Sequence, residues 1–386
     1  MRPCEVAVVG AGIVGAATAF ELAQRGVDVA LLDRGEVSSG TTGLGEGNVL
    51  CSDKDVGPEL QLTVAGLRVY DELEDRLGAR ARFRRKGALI VHRDAAGWAG
   101  EPQRLARLSG AGVEGRLVAA EELRALEPEL TGEAHGASFF ARDLQCDPRA
   151  IAQALAEGVP RVHTGVTVEA IEVAGGRVAG LRTSAGALSC GAVVVAAGPW
   201  SRDLVEAAGV ALPLEPRKGQ LVRLRAPTAD ERFIRHKVVE AAYLASVSSA
   251  DAGLQVTTVV ETTWDGDVLV GSSRERRGFD LAVDDVVSEA MRERAAQLFP
   301  RLRELPVDAA WAGLRPWLPD HLPAIGASRA VEGLWLATGH EGAGVALGPV
   351  TGRLIAQLYA SEGPDVDAEP FSPDRFAAPL TTAGRE

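Results

Sequence analysis

Gly10, Gly12 and Gly15 stand in a G-x-G-x-x-G spacing directly after the β-branched run 6–9, and Asp33 closes the next such run, 27–32. Residues of these types at this spacing can hold a pyrophosphate beside a ribose. Gly10 permits the tight turn out of a strand, Gly12 lets the backbone approach the phosphates, and Gly15 lets the following helix lie close to the sheet. Ile13 and Val14 open that helix, whose free N–H groups point at the anion. Asp33 lies where a carboxylate accepts from a ribose hydroxyl. With strand, helix, strand and acid in register, the stretch reads as the binding unit for the adenine dinucleotide half of a cofactor.

Further residues able to do chemistry are scattered along the chain. Arg34 and the small-residue loop 38–48, SSGTTGLGEGN, follow Asp33 at once. That loop, with Gly45, Gly47 and Asn48 at its end, can run its backbone against a ligand while Thr41 and Thr42 offer hydroxyls; an ordinary surface loop has the same composition. Ala197, Gly198 and Trp200 lie in a turn, AAGPWS, after a second buried run at 193–195, and Gly339, Gly342, Ala343 and Gly344 lie in another, TGHEGAG. Both look like returns to the first sheet, and a nucleotide unit split in this way suits a flavin held along its length better than a nicotinamide. N–H groups after the 339–344 turn could face the electron-rich pyrimidine end of the ring, the alternative being a helix-capping turn. Arg315, in WAGLRPWLPD, offers a guanidinium fork for a substrate carboxylate, or a structural ion pair to Asp320. His340 and Glu341 could take a proton from a substrate ammonium, bind a second carboxylate through a water, or only fix the turn. Tyr243, in AAYLAS, is a lid or substrate-facing hydroxyl, or a core aromatic. His236 and Lys237 form a small positive site that could meet a phosphate or be an exposed strand end.

These groups need two kinds of scaffold. The buried runs at 6–9, 27–32 and 193–195 ask for a parallel sheet covered by helices, with a hairpin at 175–188 beside it. Helices are expected at 58–77, 102–108, 120–126, 151–157, 283–298 and 350–359. Strands at 220–224, 242–247, 255–261 and 267–271, with polar turns between them, predict a largely antiparallel second sheet. The basic run 80–86, RARFRRK, reads as a solvated face.

Composition sets the outer bounds. A chain of 386 residues has room for two domains, and its net charge of -12 without a basic block argues against a nucleic acid partner. Cys4, Cys51, Cys146 and Cys190 form no CxxC pair, so free thiols in a reducing compartment are expected, with no metal, cluster or disulfide framework. The first strand begins too near Met1 for a signal peptide and no apolar run approaches a membrane span, which together predict a cytoplasmic protein.

GAGIVG with LLDR, VVVAAGPWS, WAGLRPWLPDHLPAIG and TGHEGAGVALGPVTG occur in this order over most of the chain. In them the chain resembles the D-amino acid oxidase superfamily, FAD-dependent amine oxidoreductases that include glycine oxidase, sarcosine oxidase and D-amino acid dehydrogenase. The resemblance implies Arg315 as the substrate carboxylate ligand and Gly313, two residues before it, as a cofactor contact. It implies FAD carried by Gly10, Gly12, Gly15, Asp33, Arg34, Thr41, Thr42, Val168, Gly198 and the turn from Gly339 to Gly344. GEGNVLCSDKDVGPEL, RKGQLV, HKVVEAAYL and VLVGSSRERRGFD look more narrowly like the β subunits of opine oxidases, D-hydroxyproline dehydrogenases and hydrogen cyanide synthase. Those act within hetero-oligomers, some with iron–sulfur partner subunits and some with FMN between subunits, which would make His236 and Lys237 phosphate contacts. The proline and arginine common on the substrate strand of glycine oxidase are absent; Ala245, Ser246 and Val247 stand there.

The expectation is an α/β protein with a discontinuous Rossmann-like FAD-binding domain (1–80, 146–215 and 311–360), a mixed or antiparallel substrate domain (81–145 and 216–310) and a flexible tail (361–386). The expected activity is FAD-dependent oxidation of an amino acid or secondary amino acid, of D-amino acid, glycine, hydroxyproline or opine type, to the imine. The favoured setting is the catalytic β subunit of an oligomeric dehydrogenase complex. The alternatives are a stand-alone oxygen-using oxidase and a flavin-bound scaffold subunit.

Overall fold

Val6, Ala7 and Val8 expose no surface, the burial of a central parallel strand covered on both faces. In the computed structural model, which describes residues 1–80, 82–226, 233–247 and 249–377, that strand lies within the first of two compact units. The first unit comprises Met1–Gly43, Ala152–Glu215 and the chain from Pro316 onward; the second comprises Leu44–Ile151 and Pro216–Arg315. The segments 44–80, 146–151 and 311–315, grouped with the nucleotide domain on sequence, thus belong to the second unit.

The first unit is built on strand Cys4–Val9, which pairs in parallel with Val29–Leu32 on one side and Gly186–Val195 on the other. The long strand Gly186–Val195 changes partner along its length. Residues 186–189 pair antiparallel with Arg177–Thr183, and residues 193–195 pair in parallel with Leu334–Thr338. Three segments far apart in sequence therefore end at one edge of a single sheet. Helices Ile13–Gln24 and Gly344–Tyr359 pack against each other. An ideal Cβ at Gly348 would stand 3.1 Å from Ile13 and one at Gly352 2.5 Å from Ala17, so the helices run in the same direction with their N-termini at the same end. The second helix starts at Gly344, six residues before the sequence expectation, making the TGHEGAG turn its N-terminus.

The stretch expected to be a flexible tail is packed as far as residue 377. Two 3-10 turns, Glu369–Phe371 and Pro373–Phe376, bury Phe371 completely. Arg375 donates to both oxygens of Asp320, at 2.6 and 3.2 Å. A single aromatic in a proline-rich acidic stretch has too little neighbouring apolar sequence to announce a core residue. Residues 378–386 of the expected tail lie outside the described residues.

The second unit carries an eight-stranded mixed sheet ordered Val307–Trp317, Glu215–Leu224, Val268–Arg274, Gln255–Thr262, Lys237–Glu240, Ala88–His92, Gly136–Phe140, Arg116–Ala119. Helix Asp285–Ala296 packs Met291 and Ala295 on one face of it, with Val222, Val260 and Val270. Even-numbered residues of strand Glu215–Leu224 face this core, so the odd-numbered ones face the other way. Residues 242–247 form a helix rather than the expected strand. In six residues, spacing by two and spacing by three cannot be told apart, and Tyr243 and Ser246, three apart, are the buried pair. In the basic run, Ala81 lies outside the described residues and Lys86 turns inward onto Glu261, at 3.4 Å, instead of into solvent.

Candidate active site

The chain leaves strand Cys4–Val9 at Gly10 with φ of +105°, and a Cβ there would stand 2.4 Å from the Ala196 carbonyl oxygen. At Gly15 a Cβ would lie 1.8 Å from the Gly10 oxygen. Only glycine fits at either position. Gly12 caps the helix without a side chain, and Thr42 supplies the missing acceptor, its Oγ1 receiving the Ile13 N–H at 3.0 Å. Asp33 accepts from Ala11 N at 2.6 Å and from Gly35 N at 2.8 Å. Each of its oxygens keeps a lone pair with which a ribose hydroxyl could bond. The Arg34 guanidinium lies 3.9 Å over the Trp200 ring, and a Cβ at Gly198 would meet Thr41 Oγ1 at 3.6 Å. Ala197 joins this turn to the strand, and Val168, half-buried, begins strand Val168–Ala174 of the same unit. These positions fit a dinucleotide at the C-terminal ends of the parallel strands, where open α/β sheets bind such ligands.

The 339–344 turn ends at the N-terminus of helix Gly344–Tyr359. His340 is buried with Nε2 2.9 Å from Thr351 Oγ1, and burial pulls its imidazole down to about 3. A ring this weakly basic is a poor proton acceptor near neutral pH, and its bond holds the turn to the helix. Glu341, in a left-handed conformation with φ of 45°, pairs with His321 at 3.1 Å.

In the second unit, Arg315 is half-buried on strand Val307–Trp317, its Nη1 donating to the Ser273 carbonyl at 3.1 Å. Asp320, the ion-pair partner considered from the sequence, is taken by Arg375. Tyr243 is buried under the Arg274 guanidinium, whose Cζ lies 4.5 Å from the ring centroid. Lys237 is buried and donates to Glu46 Oε2 at 2.9 Å, with Glu261 at 3.5 Å. His236 Nδ1 lies 2.7 Å from Glu127, a buried carboxylate that also accepts the His236 N–H at 2.6 Å. Both side chains, expected as phosphate contacts, thus have protein carboxylates as partners.

Gly45, Gly47 and Asn48 also belong to the second unit. Gly47 is pressed against Cys146, whose carbonyl oxygen would stand 1.7 Å from a Cβ there, and Asn48 donates to Glu46 at 2.5 Å. Glu46 Oε1 and Asn48 Oδ1 are buried with no hydrogen-bond partner among the described residues. They leave two acceptors for ligand donors. Gly313 lies beside Leu44, 3.3 Å from its Cβ at the ideal Cβ position.

A family model described as DAO, FAD dependent oxidoreductase, matches residues 5–358. The chain belongs to this family. Among relatives of this DAO-family chain, glycine oxidase of Pseudomonas aeruginosa is 31% identical over 376 residues, spanning 95% of this chain and 98% of that protein. A hydrogen cyanide synthase subunit of the same species is 28% identical over 421 aligned residues, spanning 97% of each. The crystal structure of glycine oxidase from Geobacillus kaustophilus matches with a TM-score of 0.87 at 26% identity, covering 98% of this chain and all of that one. The cofactor of this DAO-family protein is FAD, and the glycine cradle, Thr42 cap and Asp33 described above fit its adenine dinucleotide half. No helix among the described residues is long and apolar enough to cross a membrane.

Two residues of the second unit escaped the sequence reading. Glu46 stands in a glycine loop that reads as backbone only. Arg274 stands in the charged run SRERR, where sequence reasoning assigned it no role of its own, and it is 2% exposed. The β-branched run before it marks a buried strand, and that is the only local sign that the strand extends to the arginine.

Proposed function

We propose that this chain is an oxidase of a small amino acid or secondary amino acid that works on its own with oxygen as acceptor. The observation that carries the substrate class is Arg315, a half-buried guanidinium braced by the Ser273 carbonyl on a sheet. A guanidinium held in this way offers a rigid two-pronged donor to a carboxylate. Fixing the carboxylate limits rotation about the bond to the α carbon, and positioning is most of what hydride transfer asks of protein groups. Bound FAD supplies the two-electron acceptor for that hydride.

In this reading Gly10, Gly12 and Gly15, with the N-terminus of helix Ile13–Gln24, hold the pyrophosphate, and Asp33 holds the ribose. Arg34, Thr41, Thr42, Val168, Gly198 and Trp200 complete the nucleotide site, while N–H groups of the 339–344 turn serve the pyrimidine end of the flavin. Substrate oxidation breaks the α C–H bond, with its electron pair leaving as hydride, and removes a proton from the amine, so that a C=N bond forms. Water then hydrolyses the imine to the keto acid and the free amine. Glu46 Oε1 and Asn48 Oδ1, as unused buried acceptors, suit the substrate amine.

The free-standing setting is favoured because two glycine oxidases, at 31% and 30% identity, match nearly end to end. The similarity to a hydrogen cyanide synthase subunit supports the second reading, a catalytic subunit of a larger dehydrogenase. Anaerobic reduction of the purified flavoprotein by a panel of amino acids and N-alkyl amino acids tests the substrate class; no bleaching by any of them would overturn it. Hydrogen peroxide formed one for one with keto acid supports the oxidase, whereas turnover only with an artificial electron acceptor supports the subunit.

A further inference from the structure

We propose that Arg274 is a second anion anchor, and that the substrate is an amino or imino acid carrying a second carboxylate. The proposal rests on the amino-acid reading above and specifies its substrate.

Arg274 is 2% exposed. Its Nη1 donates to Ser246 Oγ at 2.8 Å, its plane covers Tyr243, and its Nε has no acceptor. No carboxylate pairs with it among the described residues. The three buried lysines Lys54, Lys218 and Lys237 of the same unit are neutralised, the first by Asp53 and Glu59, the second by Asp280 and the third by Glu46 and Glu261. Removing a guanidinium from water is unfavourable unless a counter-charge and well-aligned acceptors offset it. Ser246 and the Tyr243 ring supply neutral partners only, so the missing charge is left for a ligand to bring.

The place of Arg274 on the sheet says which ligand. It lies opposite Gln255 in register, and Gln255 Oε1 accepts from Arg217 Nη2 at 3.4 Å. Arg217 and Gly219 share the face of their strand that points away from the apolar core, and the Arg315 guanidinium lies directly over Gly219. Arg315 Nη1 also bonds the carbonyl of Ser273, the residue before Arg274. Arg217, Arg274 and Arg315 thus share one face, and of these Arg315 reaches the carbonyl next to Arg274 on strand Val268–Arg274. An α-carboxylate on Arg315 leaves Arg274 for a carboxylate elsewhere in the same small molecule.

The test uses the FAD-loaded protein and calorimetric titration with glutarate and butyrate, which differ by one carboxylate. Glutarate is expected to bind at least about 10-fold tighter, and Arg274→Met to lower its affinity about 100-fold, far more than that of butyrate. The ligand-free melting temperature of Arg274→Met should not fall, because an uncompensated buried charge has been removed. Equal affinities in the unaltered protein would overturn the anchor, as would a lower ligand-free melting temperature with equal losses for both ligands. If Arg274→Met loses its flavin, Arg274→Lys takes its place: a drop in the glutarate-to-butyrate ratio supports the anchor, and an unchanged ratio sinks it. Anaerobic flavin reduction by N-(carboxymethyl)glycine and N-methylglycine separates the two readings. Equal kcat/KM for both leaves the amino-acid reading standing without the second anchor. Arg274-dependent glutarate binding, with no amino acid reducing the flavin, leaves the anchor standing without that reading.

Discussion

The guanidinium of Arg315 occupies the volume that a side chain at Gly219 would need. An ideal Cβ at Gly219 would stand 2.1 Å from Arg315 Nη1 and 2.6 Å from Cζ. The obstructing atoms are the far end of a flexible side chain, so Gly219→Ala is expected to fold while pushing the guanidinium off its seat. Displacing a charged anchor weakens carboxylate binding, and KM for the best substrate should rise about 10-fold or more. Steady-state kinetics with a melting curve checks this. An unchanged KM in a folded variant would remove Arg315 from the substrate site.

Thr42 caps a helix from a different segment of chain. Because Gly12 offers no side chain and Ile13 N donates to Thr42 Oγ1, Thr42→Val keeps the shape and loses the acceptor. Losing a cap of this kind costs about 1 kcal/mol. Calorimetric melting should show that loss, fluorescence titration should show weaker FAD binding, and Thr42→Ser should restore both. Equal behaviour of the valine and serine variants would show that the hydroxyl does not matter.

Asp143 predicts a pH dependence of stability. It is buried, accepting from Cys51 N at 2.9 Å and Ser52 N at 3.3 Å, and burial pushes its carboxyl up to about 7. An unfolded aspartate titrates near about 3.9, so between these values the native state binds more protons than the unfolded one. Its contribution to stability is therefore complete below about pH 4 and is lost as pH rises through the folded value. Asp143→Asn keeps an acceptor and cannot ionise. Relative to the unaltered protein it should gain stability from pH 5 to pH 8, by on the order of 3 kcal/mol at most. Urea melts at the two pH values check the sign, and a variant that loses ground at pH 8 contradicts it.

Phe371 ties the C-terminal segment into the first unit. It is fully buried, and Phe371→Ala should destabilise by about 3–5 kcal/mol. Ending the chain at residue 360 should cost at least as much, since it also removes the Arg375 fork from Asp320. Melting temperatures of both variants measure the effect, and values matching the unaltered protein would mean that the segment is dispensable.

Much of the nucleotide site was legible because its determinants are local. Gly10, Gly12, Gly15 and Asp33 fall within one strand–helix–strand unit, and their placement at its turns follows from spacing alone. The returns at 193–198 and 334–344 were legible as buried runs ending in glycine turns. Residues 242–247 were not, since six residues with apolar positions at both periods do not choose between helix and strand. The burial of Phe371 was hidden for a related reason, as its partners are distant in the chain.

The sequence by itself determined the dinucleotide-binding signature and the mixed α/β architecture, because backbone turns, helix N-termini and strand periodicity are set by neighbours within a few residues. Only the tertiary structure decided which charges are paired within the protein and which are buried without a carboxylate. Nothing next to Lys237, His236 and Asp320 in the sequence points to Glu46, Glu127 and Arg375, which pair with them in the fold. Arg274 sits in a run of charges like any surface arginine and is buried without a carboxylate. The worth of an ionic group depends on its desolvation and on partners brought from far along the chain, and neither is written at its own position.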